Sequence, residues 1–243
     1  MEEHIGKENY EVDWEEFLPG VAIDCVIFGY HEKVLKILIL EYKETDFFAL
    51  PGGFVRKDEH IDEAARRVLY ERTKLQDISL NQFYTFGSLK RFNPDSMRIV
   101  MGKNGLEPTS DHFLLQRFIS TGYYALVDFK EAQPIADFLS DSCRWYDIHH
   151  LPSLLWDHEH IIQKALESLR ENIDHRAVGL NLLNDEFTMR ELRNLYETIL
   201  GKELNRSGFH RKMINSGRLV RIGKKNTGKA HRSPYLYRFN SEG

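Results

Sequence analysis

Residues 51–75, PGGFVRKDEHIDEAARRVLYERTKL, place a glycine pair directly before a segment whose apolar residues recur at helical spacing. This period predicts a helix over about residues 60–73. Two β-branched apolar runs precede it, at 21–30 and 34–42, and the short turn between them indicates a hairpin with at least one strand buried on both faces. A glycine loop between strand and helix offers backbone N–H groups to an anion, and acidic helix residues beside it are typical Mg²⁺ ligands.

The composition is that of a globular protein with a substantial core. The chain has 243 residues, of which 42% are apolar and 12% aromatic. Its start is acidic, and no apolar run reaches the length of a membrane span, so we expect a cytoplasmic protein without a membrane partner. Cys25 and Cys143 are the two cysteines, which predicts buried thiols rather than a disulfide framework.

The charge changes sign along the chain. From Phe187 onward there are 13 Lys and Arg against 4 Asp and Glu, whereas the residues before it carry 20 against 33. An acidic body repels nucleic acid and a basic tail attracts it, which favours a division of labour between two parts.

The rest of the body alternates strands with one further helix. Strands are predicted within residues 79–92 and 117–129 and near 143–150, with a long loop at 93–116, where Gly, Pro, Asn and Ser occur without a clear period. Asp157 is a candidate N-cap of an amphipathic helix that runs from His158 to about Asn172.

The tail follows the pattern of a winged helix. Thr188 and Glu191 have the spacing of a capping box, and Gly201 can end that helix. Asn205 can cap the next helix, on which Phe209, Met213 and Ile214 are predicted to face inward. Two short alternating strands, at 218–223 and 235–239, then flank a basic loop.

The segment 51–75 resembles the Nudix box, in which a glycine, a glutamate and an Arg-Glu-rich helix recur at fixed spacing. The matching residues are Gly53, Glu59, Arg67, Leu69, Glu71 and Leu75. The resemblance implies an α/β fold, the Nudix-type α/β/α sandwich, which agrees with the strands predicted around the helix.

The departures from the box concern its chemistry. Val68 and Arg72 stand where the family has glutamates, and Lys74 stands where it has glycine. Unit charges about 4 Å apart interact by roughly 4 kcal/mol at an effective dielectric of about 20, so Arg72 would oppose a metal ion. We expect no catalytic residues, no cofactor and no efficient hydrolysis. In an active enzyme, Glu59 and Glu71 would hold Mg²⁺. A purely structural alternative is a salt-bridged face of Glu63, Arg67 and Glu71.

Together the two parts resemble the Nudix-related transcriptional regulators of the NrtR and AraR type. The resemblance implies a winged helix-turn-helix domain that binds DNA, and a Nudix-fold domain that senses ADP-ribose or a pentose such as arabinose to control NAD- or sugar-metabolism genes. The opening strand and the loop GGFVRKDE look closer to the sugar-responsive branch. An insertion at about 95–115 is expected to alter the pocket rim. Two alternatives are an active Nudix hydrolase cleaving a nucleoside diphosphate derivative such as ADP-ribose, and a binding module that contacts RNA.

Four segments are predicted: an arm at 1–20, the effector-sensing domain at 21–174, a linker at 175–186 and the winged helix at 187–243. We expect a homodimer that reads a palindromic double-stranded DNA operator. The candidate effector-binding residues are Asp24, Gly52, Gly53, Phe54, Arg91, Arg117, Tyr123, Asp157 and His158, the last two being equally suited to capping and structural roles. The candidate DNA-binding residues are Asn205, Arg206, Ser207, His210, Arg211, Lys212, Lys224, Lys225, Lys229, His231 and Arg232.

Overall fold

A computed structural model describes residues 12–91, 93–174, 182–225 and 233–240. The predicted DNA-binding residues Lys229, His231 and Arg232 lie outside these ranges, as do most of the predicted arm and linker. None of the helices in the described ranges is long and apolar enough to cross a membrane.

The described residues up to 174 contain seven strands and three α-helices. The strands are β1 (Phe17–His31), β2 (Val34–Tyr42), β3 (Phe48–Ala49), β4 (Gly52–Arg56), β5 (Leu80–Phe86), β6 (Ile119–Val127) and β7 (Ser140–Asp147). The helices are α1 (Ile61–Thr73), α2 (Pro94–Lys103) and α3 (His158–Asn172), with 3-10 turns at Trp14–Glu16, Leu89–Arg91 and Phe113–Leu115.

Strand β1 is the centre of a mixed seven-stranded sheet ordered β3-β2-β1-β6-β5, in which β4 also pairs with β1 and β7 with β2. It is antiparallel to β2 and parallel to β6. Its residues 23–29 are buried on both faces: Cys25 packs with α1 on one side and Phe28 with α3 on the other. This arrangement confirms the α/β/α sandwich. The sheet takes in β1 from Phe17 on, before the predicted domain start at residue 21.

The predicted long loop at 93–116 is wrong in its first half, which forms α2. The Asn93 side chain accepts a hydrogen bond from the Asp95 N–H and caps the helix, and Pro94 occupies its first turn, where the missing N–H costs nothing. Met97, Val100 and Met101 are buried at helical spacing. The residues that suggested a loop are therefore the start and end signals of a short helix.

The last part of the chain is a winged helix, as predicted. It consists of β8 (Phe187–Thr188), α4 (Met189–Leu200), α5 (Arg206–Asn215), β9 (Leu219–Lys224) and β10 (Tyr235–Phe239), with the strands ordered β8-β10-β9. Thr188 and Glu191 form the capping box, and Gly201 ends α4 with φ of +67°. Phe209 and Met213 are buried as expected, but Ile214 is 43% exposed, so its predicted inward orientation is wrong.

One continuous apolar core joins the winged helix to the sandwich. Leu169 and Ile173, at the end of α3, belong to the same buried cluster as Leu195 of α4. The Arg170 Nε donates a 2.7 Å hydrogen bond to the carbonyl oxygen of Ile199, and the Tyr196 hydroxyl donates to the carbonyl oxygen of Ile173 at 3.2 Å. Helix α3 therefore holds α4 by both packing and directed hydrogen bonds.

Substitution of Leu195 by Ala should lower the free energy of unfolding by about 2–5 kcal/mol, because its side chain is fully buried and leaves a cavity. Urea denaturation followed by circular dichroism measures the change. Leu89→Ala is the matched control, since Leu89 is 76% exposed. Equal stability of the two variants would contradict the shared core.

Candidate effector cavity and DNA-binding surface

A cavity of about 610 Å³ opens beside the amino-terminal half of β1 and is bounded by β4, α1, α2 and the start of α3. Six of the nine predicted effector residues line it: Asp24, Gly52, Gly53, Phe54, Arg91 and His158. The structure thus brings together predicted residues from four separate segments of the chain.

The other three predicted effector residues do not line this cavity. The Arg117 guanidinium is exposed and donates to the carbonyl oxygen of Gly87 at 2.6 Å, and the Tyr123 hydroxyl donates to Asp62 of α1 at 2.6 Å. Asp157 forms an ion pair with Arg91 at 3.6 Å. It occupies the N-cap position of α3, but its side chain makes no capping hydrogen bond, so that part of the expectation is wrong.

The polar base of the cavity consists of Asp24, Arg91 and His158, and the fully buried Ser120 bonds to Asp24 without lining the cavity. The Oδ2 atom of Asp24 accepts hydrogen bonds from the Ser120 hydroxyl at 2.6 Å and from the Arg91 guanidinium at 3.1 Å. Asp24 is 6% exposed, so these two hydrogen bonds take the place of water around its buried Oδ2 atom. Because Arg91 also faces Asp157, one guanidinium balances two carboxylates.

His158 is the first residue of α3 and is 2% exposed. Its Nδ1 accepts a 2.9 Å hydrogen bond from the Leu50 N–H, while its Nε2 lies 3.7 Å from the Oδ1 of Asp24. Burial lowers the pKa of this imidazole, against the opposing effect of the Asp24 charge. Because Nδ1 accepts from the Leu50 N–H, the neutral ring carries its proton on Nε2.

The glycine pair lies in strand β4 and not in the predicted loop. Gly52 and Gly53 stand opposite Asp24 and Ile23 in the register of β4 with β1. A Cβ at Gly52 would lie 2.8 Å from the carbonyl oxygen of Ile23, and one at Gly53 would lie 2.7 Å from a methyl group of Val68. The glycines are needed because β4 approaches β1 and α1 too closely for a side chain, and both of them line the cavity.

Arg67 organises the residues of the Nudix-box pattern. Its guanidinium donates to Glu59 at 2.7 and 3.1 Å, to Glu71 at 3.3 Å and to the carbonyl oxygen of Phe54 at 2.8 Å. Burial alone would raise the pKa of Glu59, but the bonds from Arg67 and the Arg56 N–H outweigh it and hold the pKa below its usual value. The predicted salt-bridged face of Glu63, Arg67 and Glu71 is wrong for Glu63. Its carboxylate accepts a hydrogen bond from the His60 N–H in the capping box of α1.

These residues do not fit a divalent cation. Val68 is buried in the apolar core, and the Arg72 guanidinium lies 3.9 Å from both Glu71 and Asp137. The Glu59 carboxylate is bonded to Arg67 on both oxygens. In the described ranges, no three His, Cys, Asp or Glu side chains form a group able to hold a metal ion.

Aromatic rings form the mouth of the cavity, a feature absent from the sequence predictions except for Phe54. Its members are Trp14, Phe17, Phe54, Phe118 and Phe138. The ring centroids of Phe54 and Phe118 are 4.9 Å apart, and those of Trp14 and Phe54 are 6.2 Å apart. Met97 of α2 and Leu114 also line the cavity, so the insertion does form part of its rim.

A second hollow of about 830 Å³ lies on the winged helix, between the starts of α4 and α5 and the strand β10. The predicted DNA-binding residues Asn205, Arg206, Ser207 and His210 line it. Residues that the sequence predictions missed are also present: Arg190, Arg193 and Tyr235. The start of a helix presents N–H groups, so cations placed here suit a phosphate backbone.

The remaining predicted DNA contacts have different surroundings. Arg211, Lys224 and Lys225 are exposed outside the hollow, and Lys225 pairs with Glu191 at 3.1 Å. Lys212 forms a 2.6 Å ion pair with Asp174, which follows α3. This exposed ion pair joins α5 of the winged helix to the residue that follows the C-cap of α3.

Comparison with known proteins agrees with this two-part architecture. Residues 18–169 match the NUDIX domain family, and residues 179–239 match the NrtR DNA-binding winged helix domain. Over 229 residues, 91% of the chain, it is 30% identical to the ADPR responsive transcriptional repressor NtrR of Acinetobacter baylyi, covering 82% of that protein.

Two further similarities concern an enzyme and a crystal structure. The chain is 33% identical over 148 residues to the ADP-ribose pyrophosphatase of Methanocaldococcus jannaschii, covering 60% of this chain and 72% of that one. The crystal structure of Shewanella oneidensis NrtR superposes with a TM-score of 0.69 at 24% identity, covering 91% of this chain and 94% of the other.

Replacement of Arg67 by Gln should lower the free energy of unfolding at pH 7 by roughly 1.5–3 kcal/mol, the value of charged hydrogen bonds that are partly shielded from water. The lowered pKa of Glu59 fixes the sign of the pH dependence: its stabilisation is present above the unfolded pKa and is lost as the pH falls through the folded one.

Urea denaturation at pH 7, 5 and 4 should therefore show a difference between Arg67→Gln and the native protein that shrinks below about pH 4.5. Arg98→Gln serves as the control, because its ion pair with Asp95 is on the surface. A difference that stays constant with pH would rule out the Glu59 contribution.

Proposed function

The chain belongs to the NrtR family of Nudix-related transcriptional regulators, and we propose that it is a repressor whose Nudix domain binds ADP-ribose and whose winged helix binds operator DNA. The observation that carries the proposal is the position of α3. This helix begins in the effector cavity at His158 and ends in the core that it shares with α4.

The cavity supplies a suitable partner for each portion of ADP-ribose. The aromatic mouth offers rings against which an adenine base can stack. Arg56 and Arg72 also line the cavity, and their guanidinium groups can bind a diphosphate. The polar base offers hydrogen-bonding groups to a sugar. A volume of about 610 Å³ is within the usual range for small-molecule sites.

A free pentose such as arabinose would engage the polar base alone and leave the aromatic mouth and the arginines without a role. The A. baylyi relative is described as responsive to ADPR. For both reasons we propose ADP-ribose and not the pentose that the opening strand had suggested. Control of NAD-related genes is the corresponding role.

Coupling between the two sites requires that the effector favour one arrangement of the winged helix. A ligand that contacts the start of α3 acts on the helix to which α4 is bonded through Arg170. The Asp174–Lys212 ion pair connects the same region to α5. In a homodimer, a small displacement of each α3 would change the spacing of the two α5 helices and weaken their fit to a palindrome.

The first test is a mobility-shift titration with fragments selected by the protein from its own genome. Saturating ADP-ribose should raise the dissociation constant for DNA at least about fivefold, in the normal range of allosteric coupling, whereas arabinose should leave it unchanged. Arg206→Ala should weaken DNA binding by roughly 1–3 kcal/mol without changing ADP-ribose affinity.

Lys202→Ala is the control for Arg206→Ala, because Lys202 is exposed and does not line the hollow on the winged helix. Unchanged DNA affinity in the presence of bound ADP-ribose would exclude it as the effector. A response to arabinose alone would reinstate the pentose.

A second candidate function, hydrolysis of ADP-ribose, is favoured by the identity to the M. jannaschii pyrophosphatase and by the presence of Glu59 and Glu71. The contacts of Arg67 and Arg72 with those carboxylates argue against it, because a cation beside a metal ligand raises the cost of binding the ion.

Chromatographic assay of ADP-ribose with Mg²⁺ or Mn²⁺ should accordingly detect no sustained turnover, and Glu71→Gln should change neither this result nor DNA binding. Robust cleavage to AMP that Glu71→Gln abolishes would establish the hydrolase instead. A known Nudix pyrophosphatase in the same buffer serves as the positive control.

A further inference from the structure

A donor and an acceptor face each other at the polar base of the effector cavity across a distance too long for a hydrogen bond. The Nε2 atom of His158 is buried without a hydrogen-bond partner among the described residues, and it lies 3.7 Å from Oδ1 of Asp24. Both side chains line the cavity, and both are more than nine-tenths buried.

The chemical role of each atom is set by its other contacts. The Leu50 N–H donates to Nδ1 of His158, so in the neutral ring Nε2 carries the proton and is a donor. The Oδ2 atom of Asp24 is occupied by Ser120 and Arg91, which leaves Oδ1 as an acceptor toward the ring. The His158 ring cannot reverse its role without loss of the hydrogen bond from Leu50.

A hydroxyl group satisfies this pair, because it accepts from Nε2–H and donates to the carboxylate at the same time. A phosphate or carbonyl oxygen only accepts and would meet the negative charge of Asp24, and an ammonium group only donates. The indole N–H of Trp156 is a second buried donor that has no partner in the described ranges and lines the same cavity.

We propose that Asp24, His158 and Trp156 form a subsite for a neutral sugar ring, in which one hydroxyl bridges His158 and Asp24 and a neighbouring hydroxyl accepts from Trp156. This inference rests on the proposed function, and in ADP-ribose the ring concerned is the terminal ribose. The adenosine end lies toward the aromatic mouth, where Phe138 is 44% exposed.

The subsite also specifies what the repressor distinguishes. ADP shares the adenine and the diphosphate with ADP-ribose but lacks the terminal sugar, so the bridging hydroxyl is the group that separates the two. Because His158 is the first residue of α3, the contact that identifies the sugar is made by the helix that carries α4.

Isothermal titration of the full-length protein with ADP-ribose and with ADP tests the subsite. ADP should bind at least about tenfold more weakly, since a site built to bind a hydroxyl strongly rejects a ligand that lacks it. Asp24→Asn should weaken ADP-ribose by about tenfold or more and change ADP by less than about threefold, so that the preference disappears.

Asp46→Asn, an exposed position outside the cavity, is the matched control and should keep the full preference. If the Asp24→Asn variant still binds ADP, its cavity is folded. If that variant does not fold, titration of the native protein with ADP-ribose analogues that each lack one terminal ribose hydroxyl gives the same information, with a loss of about tenfold expected for the bridging one.

The subsite is overturned if Asp24→Asn prefers ADP-ribose over ADP as strongly as the native protein does. It is also overturned if every deoxy analogue binds with the same affinity. Either result leaves the proposed function in place. Binding of free ribose or arabinose that depends on Asp24, without binding of ADP-ribose, supports the subsite and refutes the proposed effector. Absence of binding by any of these compounds refutes both.

Discussion

The burial of β1 on both faces is the constraint from which the rest of the structure follows. A strand whose consecutive residues 23–29 are all shielded from water needs an apolar layer on each side, and α1 and α3 provide the two layers. Asp24 is the exception in this run, an acid held in the middle of an apolar strand by Ser120 and Arg91. The same strand therefore contributes to both apolar layers and places the carboxylate of Asp24 in the cavity lining.

Sequence reasoning succeeded where local rules decide the structure. The helical period of α1 and α3, the capping box of Thr188 and the glycine at the end of α4 are short-range signals, and the structure agrees with all of them. It failed for α2, because Asn93, Pro94 and Gly105 were interpreted as loop residues although they flank a buried period of Met97, Val100 and Met101. Gly52 and Gly53 were misassigned since their strand exists only through pairing with β1.

The composition of the cavity was harder to predict than the fold. Asp24 and His158 were among the predicted effector residues, and both line the cavity. Trp14, Met97 and Phe138 come from segments without any local signal, and only tertiary packing brings them to the rim. The Arg72 guanidinium lies beside Glu71, as the sequence predicts. The shorter bonds in the Nudix-box region are made by Arg67.

The separation of the apolar clusters has a bearing on how such a protein evolves. Helix α2 packs with Tyr42, Ala49 and Leu139 in a cluster of its own, whereas α3 and the winged helix share another. Substitutions in α2, which lines the cavity through Met97, would change the rim of the cavity and leave the cluster shared by α3 and the winged helix intact. The cavity wall and the junction between the two parts of the chain can therefore vary independently.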